Sequence, residues 1–290
     1  MEIQILRHDT LSIEFYVKGF PLPIVNAIRR YALTKVPTMA IDLVDIYVNT
    51  SALFDEILAH RLAMIPLYSE IAIKKYRDPD IETCRRCVEE TEEKPPAEIC
   101  NKCFVYMRLE ASADGREVVV YSGDIKSSDP DVRPVYDNIP IVILAPGQRI
   151  EMDLRARLGR GLEHAKFSPA TVAVVRYVMN VVIDRKLCTN CGNCVSVCPR
   201  AVLSKNNGVV TVVNNFNCIA CKQCIASCET KAIKVEPRPD EYVVYIESSG
   251  ALKPETIVRE ALNILISELE ELSQKVVEWR EKKDVGGSWR

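Results

Sequence analysis

Cysteines are the residues of this sequence whose type and spacing could carry chemistry. There are 12 of them in 290 residues, and they fall into three blocks. Two blocks repeat the pattern C-x2-C-x2-C-x3-C, thirty residues apart, at Cys188, Cys191, Cys194 and Cys198 and at Cys218, Cys221, Cys224 and Cys228. Thiolates at this spacing typically ligate [4Fe–4S] clusters. The sequence therefore predicts an iron–sulfur segment.

The rule for such runs also assigns the ligands of each cluster. The first three cysteines of a run hold one cluster, and the fourth ligates the other. One cluster is expected on Cys188, Cys191, Cys194 and Cys228, and a second on Cys218, Cys221, Cys224 and Cys198. Pro199 follows the first run, but Glu229 stands at that position in the second, which leaves open the loss of one cluster or a 3Fe form. At this motif level, residues 185–236 resemble a bacterial-type two-cluster ferredoxin.

The remaining block has the spacing C-x2-C-x12-C-x2-C, at Cys84, Cys87, Cys100 and Cys103. Two such turns present four thiolates, which is the arrangement that a structural, tetrahedral Zn²⁺ favours. The acidic, proline-bearing segment 88–96 between them has no core of its own, and a metal could stabilise such a flap. One or two disulfides are the alternative, and the sequence leaves it open.

Composition and charge exclude several classes of protein. Lysine and arginine number 38 and aspartate and glutamate 40, so the basic excess of a free-standing nucleic-acid binder is missing, and we expect no direct DNA binding. No apolar run reaches the roughly 18 residues of a membrane span, and the first residues lack signal-peptide features. We therefore expect no membrane partner and a reducing, cytoplasmic location.

Paired carboxylates that could hold a catalytic Mg²⁺ are sparse. The two D-x-D matches, Asp78-Pro79-Asp80 and Asp129-Pro130-Asp131, are centred on proline in polar stretches. This composition is typical of exposed turns. No catalytic residue is therefore expected in this chain.

The elements around the cysteines are predicted from hydrophobic periodicity. Alternation over 3–17 indicates a hairpin, and helices are expected from Pro21 to about Lys35 and over 52–63. Residues 172–183 are predicted to form a buried strand, and another strand is expected over 242–247. The iron–sulfur segment therefore interrupts a sheet-bearing domain of the α+β class.

The last predicted helix is longer than a compact domain of this size needs. It runs from Pro254 to Trp279, about 39 Å at 1.5 Å per residue. Its apolar residues recur at three- and four-residue steps at Val258, Leu262, Leu265, Leu269, Leu272 and Val276. Such a stripe packs either along its own domain or against a partner helix, and periodicity alone does not choose.

Three stretches resemble a known family. They are GFPLPIVNAIRR at 19–30, FDEILAHRLAMIP at 54–66 and GLEHAKFSP at 161–169. With the ferredoxin-like insert, they resemble the D-type subunit of archaeal RNA polymerase, the counterpart of the bacterial α subunit N-terminal domain and of the third subunit of eukaryotic polymerase II. The resemblance runs from about residue 3 to 280.

The resemblance implies a domain organisation. A dimerisation domain would comprise 1–40, 170–185 and 237–290. A mostly β inserted domain would span 41–169, with the four-cysteine flap at 84–103, and a ferredoxin-like iron–sulfur domain would span 186–236.

The resemblance also implies a non-catalytic assembly role. The chain would pair with subunit L and, with the small subunits N and P, form a platform for the large catalytic subunits. Its interface would use the final helix and the helix residues Val25, Ile28, Arg29 and Arg30. The alternatives are an electron-transfer subunit of an oxidoreductase or a redox sensor that controls polymerase assembly.

Overall fold

The structure is a computed structural model that describes residues 1–77, 79–89 and 94–285, with the backbone alone for 281–285. In these residues the helices are Leu22–Thr34 (α1), Asp55–Ala63 (α2), Ala72–Lys75 (α3), Ile81–Arg86 (α4), Ala97–Cys103 (α5), Asn193–Ser196 (α6), Gln223–Ala226 (α7) and Pro254–Val285 (α8). The strands are Glu2–His8 (β1), Ser12–Lys18 (β2), Pro37–Asn49 (β3), Val105–Ser112 (β4), Val118–Tyr121 (β5), Lys126–Ser127 (β6), Pro140–Leu144 (β7), Arg149–Arg160 (β8), Ala170–Ile183 (β9), Leu203–Asn206 (β10), Val209–Val212 (β11) and Ile233–Ser248 (β12).

The chain divides into two compact units, and the first consists of residues 1–8, 13–29 and 174–245. Its main sheet has the strand order β1-β2-β12-β9. The predicted hairpin is confirmed, because β1 and β2 pair antiparallel with Ile3 opposite Val17 and Ile5 opposite Phe15. The cysteine-bearing segment adds the two-stranded sheet β10-β11 and a small core that includes Val202, Leu203, Val210 and Ile233.

The second unit consists of residues 9–12, 30–173 and 246 onwards. Its larger sheet has the order β3-β8-β4-β6, and β5 and β7 form a separate pair. Burial alternates along β4, so Met107 and Leu109 lie in the core and Arg108 faces solvent. This pattern is that of a sheet with one buried face.

The predicted helices form close to the expected positions. The helix predicted from Pro21 to about Lys35 is α1, the helix predicted over 52–63 is α2, and α8 continues past Trp279 to Val285. Among the described helices, none is both long enough and apolar enough to cross a membrane.

Two local predictions were wrong in part. The strand predicted over 172–183 forms as β9, but Val172, Val174 and Tyr177 are exposed, so the run is only partly buried. Asp129 was predicted in an exposed turn, yet it is only 5 % exposed. The other motif includes Asp78, which lies outside the described residues, as do residues 90–93 of the flap segment.

Candidate iron–sulfur site and partner surface

The two cysteine runs adopt the same backbone path, thirty residues apart. Their third cysteines lie in the equivalent short helices α6 and α7. Positive φ angles also recur in pairs: Asn190 at 56° with Ala220 at 58°, Gly192 at 94° with Lys222 at 60°, and Ala201 at 48° with Lys231 at 52°. A non-glycine residue in this region costs about 1–2 kcal/mol, and such conformations are found at turns and at functional sites.

Each run contributes to two cavities, and each cavity is lined by three cysteines of one run and the fourth of the other. The first cysteine cavity, of about 140 Å³, is lined by Cys188, Cys191, Cys194 and Cys228. The second cysteine cavity is lined by Cys218, Cys221, Cys224 and Cys198, and at about 20 Å³ it has room for roughly one water.

The donor set of each cavity fits an iron–sulfur cluster. All eight cysteines of the two runs are free thiols, and thiolate is the usual ligand of such clusters. In the described part of the chain, no three Cys, His or acidic side chains converge as a single metal ion would require. A cubane instead binds each thiolate through a different iron, so its ligands surround a cavity. A bound cluster would supply a covalent cross-link between the runs and a one-electron redox centre.

The fourth cysteine of each run accepts an equivalent backbone hydrogen bond, so this contact also repeats after thirty residues. The N–H of Val202 donates to Cys198 Sγ at 3.4 Å, and the N–H of Ala232 donates to Cys228 Sγ at 3.3 Å. Burial acts to raise the pKa of Cys228, but hydrogen bonds from the Thr230 side chain and from backbone N–H groups bring the pKa below its usual value. This favours the thiolate that a metal binds.

Two other thiols are held in the protonated form when no metal is bound. Burial raises the pKa of Cys194 and that of Cys224, and neighbouring cysteines raise both further. Cluster binding would therefore release protons from both runs.

The four cysteines of the flap lie together on α4, on α5 and directly after α4. The structure joins them as two disulfides, Cys84–Cys103 and Cys87–Cys100. Cys84 and Cys103 are buried and pack with Phe104 in a small separate core. This pairing corresponds to the alternative that the sequence left open, and zinc at these four residues stays a prediction.

The distal half of α8 presents an exposed apolar stripe. We call Leu265, Leu269, Leu272 and Val276 the α8 seam, because they recur at steps of four, three and four residues. Leu265 is half-buried, as are Val258 and Leu262, whereas Leu269, Leu272 and Val276 are 54 %, 58 % and 55 % exposed. These steps match the a and d positions of a coiled coil.

A polar contact fixes α8 where the seam begins. Glu268 accepts hydrogen bonds from Tyr31 Oη at 2.6 Å and from Lys35 Nζ at 2.5 and 2.7 Å. These bonds lower the pKa of Glu268 below its usual value. They hold the carboxylate ionised and tie α8 to the segment at the end of α1.

The helix residues predicted at the interface differ in exposure. Val25 is 1 % exposed, so the chain itself already covers it. Ile28 and Arg29 are half-buried, and Arg29 Nε donates to Asn26 Oδ1 at 2.8 Å. Arg30 is exposed.

The 161–169 stretch is a loop that a buried ion cluster holds in place. Arg157, 4 % exposed, binds Asp42 at 2.6 Å and Glu163 at 3.0 Å, and Lys166 binds the second oxygen of Asp42. Burial acts to raise the pKa of Asp42, but the two cations bring the pKa below its usual value. A Cβ on Gly161 would lie 2.1 Å from the Leu33 carbonyl oxygen, so only glycine fits there.

The buried Asp129 has a structural role that its local sequence does not show. Its carboxylate accepts from Lys75 Nζ at 2.7 Å and from Tyr76 Oη at 2.5 Å. The burial of Tyr76 and this hydrogen bond raise the pKa of Tyr76 well above its usual range. Asp129 is therefore already paired within the chain.

Sequence reasoning missed the residues that fix the second cysteine run. Arg176 and Phe216 contact each other, since Arg176 Nη1 donates to the Phe216 carbonyl at 2.6 Å. The available signal was a break in the thirty-residue repeat, because Lys186 stands where the second half has Phe216.

The fold and the paired cysteine runs together define the class, an α-type polymerase subunit that carries a ferredoxin-like insert. Residues 44–181 match the family model described as the RNA polymerase Rpb3/RpoA insert domain, and residues 180–229 match a 4Fe-4S dicluster domain.

Full-length relatives narrow this class to one family. The chain is 38 % identical over 285 residues to the DNA-directed RNA polymerase subunit Rpo3 of Aeropyrum pernix, covering 95 % of this chain and 94 % of the relative. It is 39 % identical over 277 residues to that of Archaeoglobus fulgidus, covering 96 % and 98 %, and 38 % identical over 288 residues to that of Pyrococcus furiosus, covering 94 % and 98 %. The chain belongs to the Rpo3 family, the D-type subunits of archaeal RNA polymerase, which confirms the resemblance and the α+β fold class.

Proposed function

We propose that this chain is a non-catalytic assembly subunit of an archaeal DNA-directed RNA polymerase. It pairs with subunit L, joins the small subunits N and P, and forms the platform for the large catalytic subunits. The observation that carries the pairing is the α8 seam, with Leu269, Leu272 and Val276 each more than half exposed. The identity of the partners rests on the family.

The seam supports a helical partner for a geometric reason. Apolar residues at alternating steps of three and four place one stripe along an α-helix, and two such stripes interlock as knobs into holes. A partner that covers Leu272 and Val276 would be stabilised by their burial, because fully burying an aliphatic side chain contributes about 1.5–3 kcal/mol. The contact of Glu268 with Tyr31 and Lys35 holds the base of the seam in place. This preorganisation lowers the entropic cost of docking.

On this proposal the dimerisation domain comprises 1–40, 170–185 and 237–290, the inserted domain 41–169 and the ferredoxin-like domain 186–236. Two [4Fe–4S] clusters occupy the two cysteine cavities and stabilise the insert. At roughly fifty residues, the insert is small for a domain that has no disulfide or metal to stabilise it. The flap cysteines Cys84, Cys87, Cys100 and Cys103 bind one structural Zn²⁺ when they are reduced. The chain acts in the cytoplasm and makes no direct DNA contact.

Co-expression with a candidate subunit L, without oxygen, tests the proposal. Size-exclusion chromatography with light scattering should give a one-to-one complex. Leu272→Glu in the seam should prevent it, because a charge would then have to be buried at the interface. Gln274→Glu, on the opposite face of α8, is the matched control and should bind like the wild type. A monomeric wild type, or equal binding by both variants, would contradict the proposal.

Metal analysis of the same sample addresses the alternatives. Iron, sulfide and zinc contents report the clusters and the flap separately. A monomer that exchanges electrons with a redox dye and does not bind L would favour the electron-transfer alternative. Partner affinity that changes when the clusters are oxidised would favour the redox-sensor alternative.

A further inference from the structure

The two cysteine runs are preceded by turns of the same type. In the first, the N–H of Lys186 donates to Asp184 Oδ1 at 2.9 Å, and in the second the N–H of Phe216 donates to Asn214 Oδ1 at 2.9 Å. Each turn ends two residues before the first cysteine of its run. The two halves of the repeat therefore share a backbone design, and a difference in side chains can be compared directly.

The side chain at the third position of the turn differs between the halves. Lys186 is exposed. Phe216 packs against a core of Tyr16, Val178 and Val243, which lie on β2, β9 and β12. The rings of Phe216 and Tyr16 meet edge to face, with centroids 5.3 Å apart and an interplanar angle of 77°.

Polar contacts add to this packing in the second half. Arg176 Nη1 donates to the Phe216 carbonyl at 2.6 Å, and Arg176 Nη2 binds Glu14 at 2.8 Å. The N–H of Val181 donates to Asn215 Oδ1 at 3.2 Å. The turn is thus held by residues of β2 and β9.

The equivalent turn of the first half is held differently. Arg185 Nη1 donates to the Val210 carbonyl at 2.7 Å, and the N–H of Asp184 donates to the Ala232 carbonyl at 2.8 Å. Both acceptors lie in the cysteine-bearing segment between β9 and β12. The second turn is therefore anchored on the main sheet by the ring of Phe216, whereas the first turn has the solvent-exposed Lys186 at the equivalent position.

We propose that Phe216 and Arg176 are positioning residues that fix Cys218, and that this anchor ties the second cysteine cavity to β2 and β9 of the main sheet. The N–H of Cys218 donates to the Asn215 carbonyl at 3.1 Å, so the ligand follows the anchored turn directly. Occupancy of the second cavity and order in β2 and β9 are linked. Loss of this anchor should therefore act on the second cavity before the first. This inference rests on the proposed occupancy of both cavities by clusters, and it is independent of the proposed pairing with subunit L.

The test compares Phe216→Ala with Lys186→Ala, its matched control in the other half of the repeat. The full chain, loaded with iron and sulfide without oxygen, is exposed to an iron chelator and a thiol-alkylating reagent. Mass spectrometry then follows the labelling of each cysteine over time. Loss of an edge-to-face ring pair and of a fixed hydrogen-bond acceptor should speed cluster release about tenfold.

In Phe216→Ala, we expect Cys218, Cys221 and Cys224 to be labelled about tenfold earlier than in the wild type, while Cys188 keeps its wild-type rate. Lys186→Ala should leave both groups unchanged. Arg176→Gln keeps the Phe216 ring and removes the charged side chain that binds the Phe216 carbonyl. It is the second variant to test if Phe216→Ala does not fold. It should also speed the labelling of Cys218, Cys221 and Cys224 and leave that of Cys188 unchanged.

Two outcomes would overturn the inference. If labelling of Cys188 accelerates as much as that of Cys218, Cys221 and Cys224, the variant has lost stability in general. If the labelling rates in Phe216→Ala and Arg176→Gln equal those of the wild type, these residues do not anchor the turn. Binding of subunit L is not measured, so failure here leaves the assembly proposal standing.

Discussion

The double substitution Leu269→Ala and Leu272→Ala should weaken the complex with subunit L about a hundredfold. Each change removes three carbons, worth about 0.8 kcal/mol apiece when fully buried. Because the two side chains are 54 % and 58 % exposed in the isolated chain, a little over half of that value remains to be gained on binding. Each site therefore contributes about 1.4 kcal/mol, or one factor of ten in Kd.

The same arithmetic predicts a smaller effect on the chain alone. Nearly half of each side chain is already covered, so the double variant should unfold about 2 kcal/mol more easily than the wild type. Isothermal titration calorimetry with purified L gives the Kd, and Gln274→Ala on the opposite face of α8 is the control. A Kd equal to that of the wild type would refute the reasoning, because it would place the seam outside the interface.

Three further predictions concern the ion cluster, the flap and the loop glycine. Because Arg157 and Lys166 keep the pKa of Asp42 low, this group stabilises the fold above its unfolded pKa of about 4, and the contribution is lost as the pH falls through the lower folded value. Asp42→Asn should lower the free energy of unfolding by about 3 kcal/mol at neutral pH and reduce its decrease at acid pH, as measured by denaturation at a series of pH values. An unchanged pH profile would contradict this. Reduced, cluster-loaded wild type should hold one more zinc per chain than Cys84→Ser by plasma mass spectrometry, and equal contents would favour the disulfides. Gly161→Ala should lower the free energy of unfolding by roughly 1–3 kcal/mol in urea, since its methyl group would meet a backbone carbonyl; wild-type stability would show that the loop can move.

The spacing of residues was enough to predict the elements whose signals are local and repeated. The α8 stripe is periodic over many turns, and the two cysteine runs repeat one motif, so the helix and the iron–sulfur segment could be predicted from the chain alone. The apolar spacing also identified Leu269 and Leu272, but only the structure shows that the chain leaves them exposed.

Features that depend on distant partners could not be predicted. Asp129 sits in a polar, proline-bearing stretch, yet Lys75 and Tyr76, more than fifty residues away, bury its carboxylate. Val25 belongs to a helix expected at an interface, but the chain itself covers it. The pairing of the flap cysteines is equally non-local, because C-x2-C turns suit zinc and disulfides alike.

The two ends of the cysteine-bearing segment almost meet. The N–H of Asp184, one residue past β9, donates to the carbonyl of Ala232, one residue before β12, at 2.8 Å. Excising everything between these points would leave a gap that a tight reverse turn could close. The insert could therefore be gained or lost as a unit, because its two ends are adjacent and β9 and β12 need not change their pairing. Without the insert, Tyr16 would lose its edge-to-face contact with Phe216 and become more exposed.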